Sequence, residues 1–233
     1  MELDRQAVES LGAVSTATIT TILVKHGLHN VWLRGARPLH ADQPRVVGPA
    51  FTLRFVPARE DLATPESWSS PRSSRVAIEH MPAGCVAVVD AGGIADAGIF
   101  GDILCARMRR RGVAALVTDG AVRDVQGILG TGFAVWCQGV AAPPSIAGLT
   151  FVGWQEPIGC GGVAVYPDDV IVADGDGAVV IPAGHLERVV EAASEQERLE
   201  AWIMAEVERG AVLPGLYPPD AEAKARYEAS KRD

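Results

Sequence analysis

The stretch GDILCARMRRRGVAALVTDGAVRD, residues 101–124, decides the fold and carries most of the functional signal. Gly101 and Asp102 form a helix start signal, because an aspartate at the mouth of a helix accepts the unpaired N–H groups of the first turn. The apolar face expected for this helix consists of Ile103, Leu104 and Met108. Its C-terminal half carries cations that suit the helix dipole, namely Arg107, Arg109, Arg110 and Arg111. Gly112 ends the helix, and residues 113–118 predict a short buried strand.

The end of that stretch places charged side chains beside a strand. Asp119 and Gly120 are a turn signal, which releases the chain into Arg123 and Asp124. Helix N–H groups at this point could receive a carboxylate, and Arg123 could bind a second pair of oxygens. Asp102 together with Asp124 could hold a hard cation such as Mg²⁺. The pattern therefore favours an anion-binding site at the carboxyl end of a strand.

Each residue of this candidate site also has a purely structural explanation. Asp102 alone is typical of a helix N-cap, and Arg123 with Asp124 is typical of a solvated turn. In this stretch, however, a helix start, a buried strand and an Arg-Asp turn follow one another. This arrangement favours one site over three unrelated features.

Composition describes an ordinary globular protein and excludes some partners. The chain has 233 residues, 48% of them apolar and 21% charged, which suits one domain with an extension. A net charge of −8 argues against nucleic acid, because phosphate binding demands a basic face. The arginine run at 109–111 is the one basic candidate, and we interpret it as the solvated end of a helix.

Cysteine and histidine spacing gives no metal or redox motif. Four cysteines lie far apart and are expected to be buried free thiols: Cys85, Cys105, Cys137 and Cys160. His26 and His29 have no third ligand nearby and are interpreted as surface residues. The polar N-terminus lacks the apolar core of a signal peptide, and no apolar run reaches membrane length. These features predict a cytoplasmic protein that binds neither nucleic acid nor membrane.

Strands and helices alternate along the rest of the chain without a strict βα repeat, which favours a β-rich α/β sandwich. Ser15 and Thr16 signal a second N-terminal helix, and the glycines at 92–101 do not form the GxGxxG motif of a dinucleotide site. Asp174-Gly175-Asp176-Gly177 predicts a hairpin. The remaining predicted elements are helices at 75–80 and 183–209 and strands at 45–56, 85–90, 133–137, 170–173 and 178–181.

Residues 57–75 form a segment rich in Pro, Ser and charge that is longer than most ordered loops. It is either a mere excursion or a flap that carries arginines towards an anionic substrate. Our hypothesis is the flap, with Arg59, Arg72 and Arg75 as the arginines concerned.

The spacing of Asp102, twenty residues and then Arg123-Asp124 resembles the signature of the RraA-like superfamily. This superfamily includes class II pyruvate aldolases that act on 4-hydroxy-4-methyl-2-oxoglutarate and 4-carboxy-4-hydroxy-2-oxoadipate. The resemblance covers roughly residues 10–210 and extends to VSTATITTIL at 14–23, VGPAFTLRF at 47–55, PAGCVAVVDAGG at 82–93 and GCGGVAVYPDDVIVADGDGAVVIP at 159–182.

The resemblance implies a fold, a domain organisation and an assembly. The fold is a swivelling α/β/β/α sandwich of the phosphohistidine-domain type, with a β-rich core flanked by helices. Residues 1–210 would form a single catalytic domain, and 211–233 an extension that packs on the domain or on a neighbouring subunit. The expected assembly is a homotrimer or homohexamer, in which a neighbouring subunit contributes to the site.

The resemblance also implies roles for the residues that match the signature. Arg123 would bind the carboxylate and keto oxygens of a 2-oxo acid and help to hold an enolate. Asp124 would ligate Mg²⁺ or Mn²⁺, and a metal-bound water oriented by Asp102 or Asp124 would act as the base. The backbone expected to receive the pyruvyl carboxylate is that of Gly101, Asp102, Ile103 and Leu104.

Cleavage of a C–C bond next to a carbonyl generates an enolate, which either a lysine iminium or a metal must stabilise. The chain has three lysines, Lys25, Lys224 and Lys231, at the end of an N-terminal helix and in the tail, and these positions argue against a Schiff base. The prediction is therefore metal-dependent retro-aldol cleavage of a 4-hydroxy-2-oxo acid that releases pyruvate, with oxaloacetate decarboxylation as a side activity. The alternatives are a non-catalytic RraA-like regulator that binds a ribonuclease, and a lyase for a different 2-oxo or sugar acid.

Overall fold

The computed structural model describes residues 3–231. Its α-helices are α1 (Arg5–Gly12), α2 (Thr16–Lys25), α3 (Ser74–His80), α4 (Asp102–Arg110), α5 (Val125–Thr131), α6 (Leu186–Glu208) and α7 (Ala221–Ser230). Its strands are β1 (Arg37–Pro38), β2 (Val46–Pro57), β3 (Val86–Asp90), β4 (Ala115–Thr118), β5 (Ala121–Val122), β6 (Ala134–Cys137), β7 (Gly139–Val140), β8 (Leu149–Trp154), β9 (Ile158–Cys160), β10 (Val163–Val165), β11 (Val170–Asp174) and β12 (Gly177–Ile181).

A mixed sheet of eight strands organises the fold, in the order β1-β6-β4-β3-β2-β11-β12, with β8 also paired to β2. The neighbours β2, β3, β4 and β6 run parallel, and the other pairs in the sheet are antiparallel. The 12-residue strand β2 is long enough to pair with β11 through residues 46–49 and with β8 through residues 53–57. This mixed topology confirms the predicted α/β class, whereas the swivelling sandwich stays a prediction.

Both faces of the central strands are buried, and successive residues therefore enter different apolar clusters. In β3, Ala87 and Val89 pack in a cluster that includes α3, α4 and α5 residues, whereas Val86 and Val88 pack with β9 to β12. A third cluster joins the outer face of β11 and β12 to α1, α2 and α6. Helices thus cover the sheet from two sides. The buried strand predicted at 113–118 is present as β4, Ala115–Thr118, and begins two residues later than expected.

Local signals in the sequence set several element ends. The Ser15 hydroxyl accepts a hydrogen bond from the Thr18 N–H at 3.1 Å and caps α2, as predicted. The predicted hairpin is confirmed, because Asp174 pairs with Gly177 at the turn between β11 and β12. The helix predicted at 183–209 begins as a 3₁₀ turn, Ala183–His185, and continues as α6.

The C-terminal residues pack on the long helix of the same chain. Leu216 and Ala223 join Ile203 of α6 in a small apolar cluster. The rings of Trp202 and Tyr227 lie 5.7 Å apart, which ties α7 to α6. The domain boundary at residue 210 stays a prediction.

Within residues 3–231 no single helix is long and apolar enough to cross a membrane. Helices α1 and α2 meet the length and hydropathy criteria only when they are taken together, and this pair is bent by 106°.

Asp174 joins the end of β11 to the start of α2. Its carboxylate accepts hydrogen bonds from the backbone N–H of Thr16 at 2.9 Å and from the Thr16 hydroxyl at 2.6 Å. Arg45 Nε lies 3.5 Å from the same carboxylate. Since the first N–H groups of a helix lack intrahelical partners, this contact satisfies a buried donor and places an anion at the positive end of α2.

Replacement of this carboxylate is expected to destabilise the protein. Asp174→Ala leaves the Thr16 donors buried without a partner and should lower the free energy of unfolding by about 2–4 kcal/mol. Asp176→Ala is the matched control, because this aspartate is exposed in the same turn and should change stability by less than about 0.5 kcal/mol. Urea denaturation of both variants measures the difference. Equal effects would contradict the role given to Asp174.

Candidate active site

The candidate site begins where β4 ends in a rigid turn. Asp119, the first turn residue, is buried and accepts hydrogen bonds from the N–H of Ala91 at 2.8 Å and of Gly161 at 3.0 Å. Burial raises the pKa of the Asp119 carboxyl, while these backbone donors oppose the rise. The turn thereby fixes the ends of β3 and β4 relative to the loop before β10, and the chain leaves it towards Arg123.

Residues 98–101, which lead into α4, run beside β5 and the Arg-Asp pair. The Ile99 N–H donates to Ala121 O at 2.8 Å, and the Arg123 N–H donates to Phe100 O at 3.0 Å. The approach is so close that a Cβ atom on Gly101 would lie 2.5 Å from Asp124 Oδ2. The backbone therefore brings the start of α4 against Arg123 and Asp124, which lie more than twenty residues further along the chain.

The start of α4 differs from the prediction in one respect. Gly101 is the N-cap and offers no side chain, whereas Asp102 is the first helical residue. The Asp102 Oδ1 atom accepts a hydrogen bond from the Ile103 N–H at 2.7 Å. The expected N-cap role of Asp102 is thus wrong by one position, although the carboxylate still lies in the first turn, where the helix dipole favours it.

The predicted apolar face of α4 was also partly wrong. Ile103 is 79% exposed, and the buried residues of the helix are Cys105 and Met108. At 3.6 residues per turn, positions five apart lie about 140° from each other, so Ile103 and Met108 cannot share a face. Ile103 instead stands at the wall of the candidate cavity.

Arg123 and Asp124 form an ion pair with their side chains partly exposed. Arg123 Nε lies 3.1 Å from Asp124 Oδ2. Asp124 has φ = 56°, a left-handed conformation that costs a non-glycine residue about 1–2 kcal/mol. An ion pair at this exposure contributes little to stability. Its effect is to orient the Arg123 guanidinium. Asp124 is also the N-cap residue of α5.

One cavity of about 400 Å³, a size typical of small-molecule sites, joins these groups. All six residues predicted for the site line it: Gly101, Asp102, Ile103, Leu104, Arg123 and Asp124. Other lining residues escaped the sequence analysis as site residues, namely Trp68, Ser74, Gly98, Ile99, Pro144 and Ser145. Trp68 was detectable as the single tryptophan in a segment rich in Ser, Pro and charge, whereas Pro144 and Ser145 gave no signal beyond a turn.

The three arginines of segment 57–75 lie in different environments. Arg59 forms an exposed ion pair with Asp61 at 2.7 Å and lines neither this cavity nor the adjoining one. Arg72 lines the adjoining cavity, which also measures about 400 Å³. Arg75 lines the candidate cavity itself. The flap hypothesis therefore does not hold for Arg59 in this structure and stays open for the other two.

The donor atoms around the cavity suit a hard, hydrated cation. Asp102 and Asp124 supply carboxylate oxygens, and Mg²⁺ commonly binds through one or two carboxylates while it keeps several waters. Within residues 3–231 no group of three His, Cys, Asp or Glu side chains is arranged to hold a metal alone. Water and substrate oxygens would therefore have to complete the shell, a pattern that fits Mg²⁺ or Mn²⁺ and not a closed zinc site.

The cysteines do not provide a nucleophile. All four are free and buried, as predicted. Cys105 lies in α4 close to the site, and burial, together with the nearby Asp102 charge, raises the pKa of its thiol to about 12. Because the thiolate is the reactive form, Cys105 stays inert at neutral pH.

The structure is an α/β fold in which two arginines and two carboxylates line one cavity. A family model described as RraA-like, Aldolase/RraA, matches residues 16–180, and the chain belongs to this family. A protein of Halalkalibacterium halodurans named "Putative 4-hydroxy-4-methyl-2-oxoglutarate aldolase" is 34% identical over 162 residues, which cover 69% of this chain and 70% of that relative.

Two further matches show how varied the relatives are. Protein DlpA of Legionella pneumophila is 32% identical over 146 residues, which cover 63% of this chain and only 23% of DlpA. The crystal structure of Streptomyces coelicolor RraAS2, described as an unusual member of the RNase ES inhibitor RraA protein family, superposes with a TM-score of 0.77 at 34% identity. That match covers 91% of this chain and 99% of RraAS2. The family thus includes relatives named as aldolases and relatives named after ribonuclease inhibition.

Close packing between α4 and α5 gives a stability test. A Cβ on Gly127 would lie 2.6 Å from the Cβ of Asp102, whereas a Cβ on Gly130 of the same helix would meet nothing within 4 Å. Gly127→Ala should therefore force the helices apart and lower the free energy of unfolding by about 1–3 kcal/mol. Gly130→Ala should raise it by about 0.5–1 kcal/mol, because alanine restricts the unfolded chain and favours the helix. If chemical denaturation showed that both substitutions change the free energy of unfolding in the same direction, the result would contradict this packing.

Proposed function

We propose that this protein catalyses divalent-metal-dependent retro-aldol cleavage of a 4-hydroxy-2-oxo acid and releases pyruvate. The observation that carries the proposal is that Arg123, Asp124 and the first turn of α4 meet around one cavity. A positively charged fork, an oriented carboxylate and helix N–H groups are the features that an enolate-forming site requires. The aldolase name of the H. halodurans relative supports the same reaction class.

Arg123 is placed to bind the 2-oxo acid end of the substrate. Its side chain reaches the cavity while Asp124 fixes its orientation through the 3.1 Å contact. The pyruvyl carboxylate would lie at the first turn of α4, where the dipole favours an anion. The Ile103 N–H already donates to Asp102, so the other N–H groups of this turn would bind the carboxylate. This arrangement leaves the C2 oxygen near Arg123, where negative charge develops as the C3–C4 bond breaks.

The two carboxylates would orient the water that removes a proton and hold the divalent cation. Asp102 is held in the first turn of α4 and would orient the water that removes the C4 hydroxyl proton. A lone pair of the C4 alkoxide oxygen then forms a carbonyl as the C3–C4 bond breaks, and the electrons of that bond become part of the pyruvate enolate. A proton returned to C3 yields pyruvate. Held by Asp124 and by waters around Asp102, Mg²⁺ or Mn²⁺ would supply the positive charge that lowers the energy of the enolate. Loss of the C4 carboxylate of oxaloacetate as CO₂ gives the same enolate, so decarboxylation is the expected side activity.

The wider features implied by the family belong to the same proposal. They are a catalytic domain at 1–210 with an extension at 211–233, a swivelling α/β/β/α sandwich, a homotrimer or homohexamer, and a cytoplasmic location. In an oligomer, the exposed Ile103 beside the cavity would lie at a contact between subunits.

A binding role is the second candidate, favoured by the similarity to the RNase ES inhibitor family member RraAS2. A regulator would need neither the metal nor the Arg123 fork. Recovery of a ribonuclease by the purified protein, together with no pyruvate release with Mg²⁺ or Mn²⁺, would establish that role. Pyruvate release that requires the metal and stops in EDTA would exclude it as the main function.

Substitution of Arg123 tests the enzyme directly. Arg123→Ala removes charged hydrogen bonds to the substrate and to the enolate, and kcat/KM should fall by at least about a hundredfold. Arg110→Ala is the control, because Arg110 is exposed in α4 and does not line the cavity, and it should change kcat/KM by less than about twofold. The assay follows pyruvate release from oxaloacetate and 4-hydroxy-4-methyl-2-oxoglutarate by coupling to lactate dehydrogenase. Comparable losses in both variants would contradict the assignment.

A further inference from the structure

Arg75 stands out among the arginines near the site because an aromatic ring fixes its position. Its guanidinium carbon lies 4.5 Å from the centroid of the Trp68 ring, within the range of a cation–π contact. Trp68 belongs to the 3₁₀ turn Pro65–Ser69, and both side chains line the candidate cavity. A cation–π contact uses the charge of the guanidinium and not its N–H groups as hydrogen-bond donors to oxygen, so these donors stay available to a ligand.

Arg75 also lacks a carboxylate partner in the part of the chain that the structure describes. Arg59, Arg107 and Arg123 each form an ion pair with a carboxylate, but within residues 3–231 no carboxylate pairs with Arg75 or with the nearby Arg72. Partial burial lowers the pKa of the Arg75 guanidinium, since water is removed from the charged group. A partly desolvated cation without a carboxylate partner gains more from an arriving anion than a solvated surface arginine does.

Arg75 and Arg123 together suit a ligand that carries two anionic groups. Both line one cavity of about 400 Å³, one from the start of α3 and the other from the turn after β5. If Arg123 and the first turn of α4 hold one carboxylate, Arg75 is left for a second anionic group on the same molecule. Two cationic side chains at one small cavity are notable in a chain with a net charge of −8.

An adjoining cavity borders the candidate cavity on the side of Trp68. The two cavities share Trp68, Ser74 and Ser145 as lining residues. The deeper wall of the adjoining cavity includes the apolar side chains of Phe55 and Leu149. A small apolar substituent can lie there without loss of a hydrogen bond.

We propose that Arg75 is a specificity-determining residue that binds the distal carboxylate of a dicarboxylic 4-hydroxy-2-oxo acid. This inference rests on the proposed function and assigns a residue of this chain to the recognition of the second carboxylate of such a substrate. Trp68 is the positioning residue, because it holds the guanidinium over the cavity. A monocarboxylate would leave Arg75 desolvated and unpaired, and it is therefore a poor substrate.

Binding of a non-reactive pair of ligands tests this inference independently of catalysis. 2-Oxoglutarate and 2-oxopentanoate share the 2-oxo acid end, lack the C4 hydroxyl needed for cleavage, and differ in a distal carboxylate or methyl. Calorimetry with Mg²⁺ present should show that the full chain binds the dicarboxylate about tenfold or more tightly. Arg75→Gln should reduce that preference to about twofold or less, and Arg72→Gln, from the same segment, should keep it. A preference that is absent in the wild type or survives in Arg75→Gln would overturn the inference.

A cleavable pair separates this inference from the proposed function. 4-Hydroxy-4-methyl-2-oxoglutarate and 4-hydroxy-4-methyl-2-oxopentanoate both release pyruvate on cleavage and differ only in the distal carboxylate. Arg75→Gln should lower kcat/KM for the dicarboxylate about tenfold to a hundredfold and leave the monocarboxylate unchanged within about twofold, while Arg75→Lys should restore part of the preference. Equal losses on both substrates would overturn the role of Arg75. If the wild type cleaves neither compound, the proposed function fails, and the binding comparison still decides what Arg75 recognises.

Discussion

The candidate site depends on the close contact between the backbone at 98–101 and the backbone at 121–124. Two hydrogen bonds join these segments, from Ile99 to Ala121 and from Arg123 to Phe100, and glycine at position 101 permits the approach because no Cβ intrudes on Asp124. Without this contact, the first turn of α4 and the Arg123 side chain would belong to separate loops. With this contact, the N-terminus of α4, the Arg123 guanidinium and two carboxylates line the same cavity.

The sheet explains why this contact forms at this place. Strands β3 and β4 are parallel neighbours, so their carboxyl ends lie at the same edge, where α/β proteins commonly bind ligands. Asp119 joins the two ends through backbone hydrogen bonds, and its burial makes the turn costly to distort. The chain from β3 into α4 and the chain from β4 into α5 therefore leave a common fixed point. The rest of the fold supports the geometry of the site at that edge.

Sequence patterns sufficed for the features that depend on neighbouring residues. The buried strand β4, the Ser15 cap and the hairpin at Asp174 follow from local propensity and spacing, and the structure shows each of them. Asp102 and Arg123 could be assigned to one site because a short helix and a short strand separate them. Ile103 was misplaced because the expected face combined positions 103 and 108, which lie about 140° apart on a helix, so only Met108 is buried.

Features that depend on distant contacts could not be read from the sequence. Trp68 reaches the cavity because residues 57–75 fold back beside α3 and α4, and no periodicity encodes that path. The separation of Arg59 from Arg75 has the same origin, since a local aspartate pairs with one and a tryptophan ring stacks on the other. The tight contact of Gly127 with Asp102 requires the packing of α4 on α5, which only the folded chain defines.

The convergence of Arg123 and the α4 N-terminus on one 2-oxo acid is the central claim, and a crystal structure with Mn²⁺ and oxalate, which mimics the pyruvate enolate, tests it most directly. We expect one oxalate within about 3 Å of both the Arg123 guanidinium and a first-turn N–H of α4. The Mn²⁺ anomalous signal should lie beside Asp124. Oxalate that binds elsewhere, or that contacts Arg123 without the helix, would contradict the claim and favour a binding role for this member of the RraA-like family.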